Sequence, residues 1–211
     1  MSRDHDQERQ RLIERIRAST QVDDARILHA FANVPRHEFL SEAQRAIAYE
    51  DRALPLEEGQ TVSQPSMLAI MLGELECQPP HHALEVGAGS GYAAALLGQL
   101  VREVHAIEVR PALADLARAN LARSGANNVQ VVLGDGRLGL AAHAPYDRIL
   151  VSASPNEVPQ ALVEQLAEGG RIVIPVGDEH TQTLLVGEKS SAGELRWRRS
   201  VPCIFVPLVS G

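Results

Sequence analysis

The chain has little of what a disulfide framework, a metal finger or a membrane anchor requires. It contains two cysteines, Cys77 and Cys203, and neither has a second cysteine at a metal-binding or disulfide-framework spacing. No apolar run is long enough to cross a membrane, and the charged first residues lack the apolar core of a signal peptide. We therefore expect a cytoplasmic protein with reduced, buried thiols and no membrane partner.

A surplus of positive charge is also missing. The 211 residues include 27 acidic side chains and 20 Lys or Arg side chains, which give a net charge of -7. Binding to duplex nucleic acid depends on neutralising phosphates, so this balance argues against a nucleic-acid partner. The length suits one substantial core and falls short of two ordinary domains. We expect a single domain over residues 1–211, present as a monomer.

The first 80 residues have helical periodicity around a loop-rich middle. Asp23 or Asp24 can cap a helix, which should end near Val34-Pro35 because the residue before a proline avoids the helical region. Pro65 is suited to the first turn of another helix. Residues 51–60 contain proline, glycine and acids, and they predict an irregular loop.

The rest of the chain alternates short apolar strands with helices. Such alternation predicts a doubly wound, mostly parallel sheet that is covered by helices on both faces. The last strands have short links, so we expect them to be antiparallel at the sheet edge, with a hairpin over 187–193. The strand candidates are 83–86, 104–107, 129–133, 148–151, 171–175, 183–186, 195–199 and 203–207. The helix candidates of this part are 92–101, 111–124 and 158–167.

A glycine-rich turn follows the first of these strands. Glycine stands at alternate positions, Gly87, Gly89 and Gly91, where it lets the backbone turn sharply beside a ligand. Tyr92 stands where a dinucleotide fingerprint needs Gly or Ala, and the Gly-Lys-Ser/Thr of a phosphate-binding loop is absent. The turn therefore indicates a nucleotide-type ligand without a pyrophosphate. S-adenosylmethionine (SAM) has this chemistry; the alternative is a strand–helix turn without a ligand.

Three acids would complement a cationic ligand at this turn. Glu108 ends the second strand, where it can accept hydrogen bonds from both ribose hydroxyls; alternatively, it is a surface acid paired with Arg110. Asp135 of Gly134-Asp135-Gly136 could accept from the adenine amino group while the neighbouring amide serves a ring nitrogen, or it could only stabilise its own turn. Glu85 could hold the ammonium group of SAM, directly or through water.

Several motifs resemble one enzyme family, the protein-L-isoaspartate O-methyltransferases. The most specific are the glycine turn and the segment from Gly59 to Pro65, and the resemblance extends from about Val34 to Leu208 in the right order. The other matching segments are Val34-Pro35-Arg36, Ala48-Tyr49-Glu50-Asp51, Leu54-Pro55-Leu56, Gly134-Asp135-Gly136, 170–177 and Phe205-Val206-Pro207-Leu208.

The resemblance implies an α/β fold with a doubly wound, mostly parallel, seven-stranded Rossmann-like SAM-methyltransferase sheet. Residues 1–80 would form the N-terminal helical and substrate-loop segment. Residues 81–211 would form the SAM-binding α/β core with its antiparallel C-terminal edge strands. SAM would be the methyl donor, and no metal is expected.

The resemblance also implies the acceptor and the residues of the site. The acceptor would be the free alpha-carboxylate of L-isoaspartyl residues in damaged proteins and peptides, and the ester would collapse to a succinimide. Ser63 would hydrogen-bond this carboxylate or shield it from water; its alternative role is a helix cap before Pro65. The expected cofactor residues are Val62, Glu85, Gly87, Ala88, Gly89, Gly91, Glu108, Asp135 and Gly136. The expected substrate contacts are Ala53, Leu54, Pro55, Val206, Pro207 and Leu208.

Two other functions remain open. Ala53 and Ser66 depart from the family pattern, which is the support for a SAM-dependent carboxyl methyltransferase with a different acceptor. A SAM-binding protein without turnover is the second alternative. The presence of Ser63, Glu108 and Asp135 argues against it.

Overall fold

The structure is a computed structural model that describes residues 2–211, with side chains from residue 5 onward. None of the described helices combines the length and the apolar character needed to cross a bilayer. The α-helices are α1 Ser2–Thr20, α2 Ala25–Asn33, α3 Pro65–Leu75, α4 Tyr92–Gly98, α5 Pro111–Ser124 and α6 Gln160–Glu164. The strands are β1 Leu54–Pro55, β2 Thr61–Val62, β3 His82–Val86, β4 Glu103–Glu108, β5 Val129–Leu133, β6 Tyr146–Val151, β7 Leu166–Gly177, β8 Gln182–Lys189 and β9 Leu195–Cys203.

Seven of these strands form one sheet in the order β5-β4-β3-β6-β7-β8-β9. Strands β3 to β7 are parallel, and β8 and β9 are antiparallel to their neighbours. This confirms the predicted fold class. The strand order reverses at β3, because the chain builds outward to β5 and then returns to place β6 on the other side. The carboxyl ends of β3, β4 and β6 therefore meet at a topological switch point, where ligands bind in such sheets.

Helices cover both faces of the sheet. Adjacent strand residues point to opposite faces, so Ala83 belongs to the apolar cluster with α1 to α5, whereas Leu84 belongs to a second cluster with Leu162 of α6. All of these side chains are essentially inaccessible to solvent. Burial on both faces explains why the central strands are nearly continuous apolar runs.

The N-terminal segment follows the sequence signals. Helix α2 begins after Asp24, whose carboxylate accepts the backbone N–H of Arg26 at 2.9 Å, and it ends at Asn33, before Val34-Pro35. Helix α3 begins at Pro65, as predicted. The loop over 51–60 contains the short strand β1, which pairs antiparallel with β2. This hairpin brings residues 61–63 to the carboxyl end of the sheet.

Several predicted boundaries were wrong; the helix predicted over 92–101, for example, ends at Gly98. Helix α6 does not extend over 158–167, because Leu166 already pairs with Tyr146 as the start of the twelve-residue strand β7. Strand β8 continues to Lys189, so the expected hairpin link over 187–193 is a shorter turn that closes through the Ser190 amide and the Glu194 carbonyl at 2.8 Å.

Residues 203–207 are not a separate strand. Strand β9 ends at Cys203, and the segment beyond it makes only an isolated bridge between Pro207 and Ser154. The backbone of Phe205 is bound instead by the side chain of Gln182, whose Oε1 accepts its N–H at 2.7 Å. The segment is therefore held across the carboxyl ends of the strands instead of joining the sheet edge.

Candidate active site

The glycine turn between β3 and α4 lies at the switch point and leaves space above its backbone. Gly87, Gly89 and Gly91 all have positive φ, at 90°, 52° and 85°, a region that only glycine adopts without strain. A Cβ at Gly91 would approach Leu121 at 3.1 Å, whereas a Cβ at Gly89 would meet only Leu56, at 3.6 Å. Gly91 thus allows α4 to pack against α5, and Gly89 faces the open cavity.

Glu108 at the end of β4 supports this turn directly. Its Oε2 accepts the backbone N–H of Gly89 at 2.9 Å, and its Oε1 accepts those of Val109 and Arg110 at 2.9 Å and 3.0 Å. The carboxylate is 6% exposed, and the Arg110 guanidinium pairs with Glu58, so Glu108 is not a surface acid paired with that side chain. A carboxylate has about four lone-pair sites, so about one remains for a further donor.

The side chain of Asp135 is engaged in its own turn. It accepts the N–H of Arg137 at 2.9 Å and pairs with that guanidinium at 2.7 Å, which lowers the pKa of the Asp135 carboxyl below its ordinary value. The turn-stabilising role is therefore present. The neighbouring Gly136 lines the cavity beside Glu108. A Cβ at Gly136 would collide with Val86, so the close approach of this turn to β3 requires glycine.

Glu85 is the most unusual acid of the site. Its side chain is fully buried in β3, one oxygen accepts the Ser152 hydroxyl at 3.1 Å, and the other, Oε2, has no hydrogen-bond partner. Burial, with a smaller contribution from the nearby negative charge of Glu108, raises its pKa to about 8. At neutral pH this carboxyl group is therefore mostly protonated, and it lacks one polar partner.

Most of the expected cofactor residues line one connected region. Two cavities share Thr61, Gly87, Gly89 and Ser152. Their lining includes seven of the predicted cofactor residues: Val62, Glu85, Gly87, Ala88, Gly89, Glu108 and Gly136. Gly91 and Asp135 lie behind this lining, where they shape the backbone.

A larger cavity of about 470 Å³ adjoins this region at Ser63. The serine is half-buried and lines both this larger cavity and the one that contains Glu85 and the glycine turn. It does not cap α3: the N-cap position is Gln64, and no side-chain cap bond is formed there. We call the larger space the acceptor cavity, after the acceptor that the sequence predicts at Ser63. Its lining residues are Ala53, Thr61, Ser63, Gln64, Met67, His180, Thr181, Gln182, Pro202, Cys203, Ile204 and Phe205.

The predicted substrate residues are distributed over different places. Ala53 lines the acceptor cavity, whereas Leu54 is fully buried and pairs with Val62. Pro55 is exposed, and its carbonyl accepts the Gln44 side chain at 2.7 Å. Residues 206–208 line the cofactor region, where Val206 and Leu208 bond the backbone of Ser154 at 2.8 Å and 2.9 Å.

Arg36 holds the acceptor side of the site together. Its guanidinium is fully buried and donates to the carbonyls of Ala48 at 2.8 Å and of Glu50, Arg52 and Ser63 at 3.1 Å each. Burial lowers the pKa of Arg36, although the group stays cationic because its ordinary pKa is far above neutrality. Four carbonyl dipoles thus replace water around a buried charge and fix the position of Ser63.

Some lining residues were not predicted as site residues. Ser152, at the end of β6, could have been found by applying the switch-point rule to that strand as well. His180, Thr181 and Gln182 carry no local signal, because only the packing of the β7–β8 link against residues 202–205 brings them to the acceptor cavity.

Comparison with known proteins identifies the family. The family model for protein-L-isoaspartate(D-aspartate) O-methyltransferase (PCMT) matches residues 7–211. The protein-L-isoaspartate O-methyltransferase of Methanopyrus kandleri is 49% identical over 205 residues, which cover 95% of this chain and 91% of the relative. That of Aeropyrum pernix is 48% identical, and the match covers 95% of this chain and 79% of the relative.

Two solved structures share the fold. One, described as a protein-L-isoaspartate O-methyltransferase, has a TM-score of 0.86 and 30% identity; the match covers 94% of this chain and 65% of that longer chain. The other is a putative protein-L-isoaspartate O-methyltransferase from Plasmodium falciparum in complex with S-adenosyl-L-homocysteine, with a TM-score of 0.83, 24% identity and coverage of 98% and 99%. The chain therefore belongs to the protein-L-isoaspartate(D-aspartate) O-methyltransferase family, and it has the fold of these SAM-dependent enzymes.

Proposed function

We propose that this chain methylates the free alpha-carboxylate of L-isoaspartyl residues in damaged proteins and peptides, with SAM as donor. A backbone amide nitrogen of the substrate then attacks the ester carbonyl and displaces methanol, which leaves the succinimide that starts repair. The observation that carries the proposal is the position of Ser63, which lines both the acceptor cavity and the cavity beside the glycine turn. A group bound at Ser63 would therefore face both spaces.

The residues present fit the donor. The unpaired Oε2 of Glu85 offers a buried acceptor for an ammonium group, and Glu108 keeps about one lone-pair site for a ribose hydroxyl. The open space above Gly89 accommodates the body of the ligand. The turn at Gly136 would receive the adenine end beside Glu108. When bound, SAM supplies an electrophilic methyl group on a sulfonium sulfur.

The acceptor needs alignment more than activation. A carboxyl group has a pKa of about 4, so the acceptor is already ionised at neutral pH and requires no general base. The Ser63 hydroxyl would donate a hydrogen bond to one carboxylate oxygen and leave the other directed at the donor. The walls of the acceptor cavity, including Met67 and Phe205, would exclude water from that oxygen.

The architecture also supports one methyltransferase domain. We propose that residues 1–80 supply the wall of the acceptor cavity that contains Ser63, and that residues 81–211 supply most of the cofactor side together with the far wall of that cavity, 180–182 and 202–205. The hydrogen bonds of Arg36 to the 48–52 loop and to Ser63 support this division, since they organise the acceptor side within the first segment.

Binding of the cofactor should release a proton from Glu85. The group has a pKa of about 8 in the unliganded chain, and a neighbouring ammonium would favour its ionised form. The affinity for S-adenosylhomocysteine should therefore rise by about tenfold per pH unit between pH 6 and pH 7, and it should level off above pH 8. Calorimetry in two buffers of different ionisation enthalpy measures the protons released.

The Glu85→Gln variant is the matched control, because it keeps the shape of the side chain and cannot ionise. It should lose both the proton release and the pH dependence of binding. The unliganded wild type should also lose stability as pH rises from about 4.5 to about 8, since the folded state retains the proton longer than the unfolded state, and the variant should lack this slope. Equal proton release by both proteins would contradict the role assigned to Glu85.

Ser63→Ala should lower turnover while leaving the Kd for S-adenosylhomocysteine within a few-fold of wild type. Loss of one hydrogen bond to a charged group costs roughly 1.5–3 kcal/mol, which corresponds to about 10- to 100-fold in kcat/KM. Steady-state methyl transfer and calorimetry measure the two quantities.

Ser66→Ala is a matched control three positions further along, in α3, where the serine lines neither the acceptor cavity nor the cofactor region. Its turnover should stay near that of wild type. A Ser63→Ala protein with full turnover would show that the hydroxyl has no part in the reaction.

Methyl transfer to a pair of peptides that differ only in Asp or isoAsp at one position tests the function itself. In isoAsp the free carboxylate is the alpha-carboxyl group, on a shorter arm than a normal side chain. A displacement of about 1 Å can cost on the order of 100-fold in rate, so the isoAsp peptide should be methylated at least that much faster.

The same assay separates the alternatives. Methylation of a free small carboxylic acid in preference to the isoAsp peptide would favour a different acceptor. Tight binding of S-adenosylhomocysteine without methyl transfer to any of these compounds would favour a binding protein without turnover.

A further inference from the structure

A cluster of histidines lies at the opposite end of the sheet from the glycine turn. His82 begins β3 and is aligned with Glu103, the first residue of β4, in the parallel register of the two strands. His105 follows Glu103 by two positions, so all three side chains project from the same face. His143, on the turn before β6, stacks its ring on that of His105 at 3.9 Å between centroids.

The three side chains on β3 and β4 converge. Each of His82, Glu103 and His105 offers one ligand atom, and these atoms lie within 4.8 Å of one another. The closest pair is Nε2 of His82 and Nδ1 of His105, at 2.9 Å. Two nitrogens bound to one tetrahedral zinc ion at about 2.0–2.1 Å would be about 3.3 Å apart. The ring nitrogens therefore need to separate by only a few tenths of an ångström to share an ion.

Burial and charge prepare the cluster for a cation. His105 is 2% exposed, so its ring is shielded from solvent while its Nδ1 lies against Nε2 of His82. Nε2 of His105 has no hydrogen-bond partner, so the surrounding protein does not satisfy the ring completely. Glu103 supplies the negative charge that complements a cation.

We propose that His82, Glu103 and His105 form a binding site for a divalent transition-metal ion, with zinc as the best match. Two imidazoles and one carboxylate are a donor set that zinc accepts readily, and the fourth position would be taken by water. His82 and Glu103 are only half-buried, so an ion can reach the buried His105 from solvent.

The site is separate from the methyl-transfer chemistry. Four residues of β3, 83–86, lie between His82 and Gly87, which corresponds to a distance of about 17 Å at the rise of a parallel strand. An ion here would link the amino ends of β3 and β4 close to Tyr146, whose ring centroid lies 4.7 Å from that of His82. The expected consequence is greater stability of the central strands, independent of the reaction proposed above.

Titration of the metal-free, untagged full chain with ZnCl₂ tests the proposal. Calorimetry should show one site per chain. The Tm should rise by several degrees when the free zinc ion is at about 100 times its Kd. Titration with CoCl₂ instead should produce the visible absorption of Co²⁺ bound in a site of low symmetry. His82→Gln and Glu103→Gln should each weaken zinc binding at least tenfold. His29→Gln removes an exposed histidine from α2 and should bind zinc as the wild type does.

Folding of each variant is checked by its Kd for S-adenosylhomocysteine, which should remain at the wild-type value. Two variants are used so that a failure of one to fold still leaves the other. The proposal is overturned if the wild type shows no saturable zinc site, or if a folded His82→Gln or Glu103→Gln protein binds zinc as tightly as wild type. Neither result would bear on methyl transfer, which is measured without metal.

Discussion

The buried guanidinium of Arg36 is the interaction on which the acceptor side of the site depends. A lone cation in a protein interior is costly unless polar groups replace its hydration. Here four backbone carbonyls do so, three of them from the 48–52 loop and one from Ser63. The same guanidinium lies 5.8 Å from the ring centroid of Tyr92, the first residue after the glycine turn. One side chain therefore ties the acceptor loop, the serine and the start of α4 together.

The cofactor side depends on a different constraint, the reversal of strand order at β3. That reversal brings the ends of β3, β4 and β6 together, and each end contributes a polar group: Glu85 with the glycine turn, Glu108 and Ser152. Glu108 supports the turn through the Gly89 amide, and Ser152 satisfies one oxygen of Glu85. The other oxygen is left without a partner in a buried position, which is costly for folding and useful for recognising a cation.

Sequence reasoning reached the sheet and the glycine turn, and it named many of the residues that line the cavities there, because their signals are local. Alternating apolar segments identify the strands, and Gly87 and Gly89 mark the turn itself. The protonated state of Glu85 was not predicted, since it results from complete burial by distant elements. The pairing of Asp135 with Arg137 was likewise not anticipated, although both residues are close in the sequence.

The acceptor side was less accessible to sequence reasoning. Its far wall, 180–182 and 202–205, depends on the antiparallel packing of β8 and β9 and on the Gln182 side chain, which bonds the Phe205 backbone. The role of Arg36 could not be read from the motif that contains it, because its partners are backbone carbonyls up to 27 residues away. The end of α6 was misplaced because the chain enters β7 earlier than its helical periodicity suggests.

The central claim is that Ser63 presents the acceptor carboxylate to the donor bound at the glycine turn. A structure of the chain with S-adenosylhomocysteine and an isoaspartyl peptide tests it most directly. The account predicts one carboxylate oxygen within hydrogen-bond distance of the Ser63 hydroxyl and the other facing the sulfur, with the ammonium group at Glu85. A carboxylate held at the 180–182 wall, away from Ser63, would contradict it.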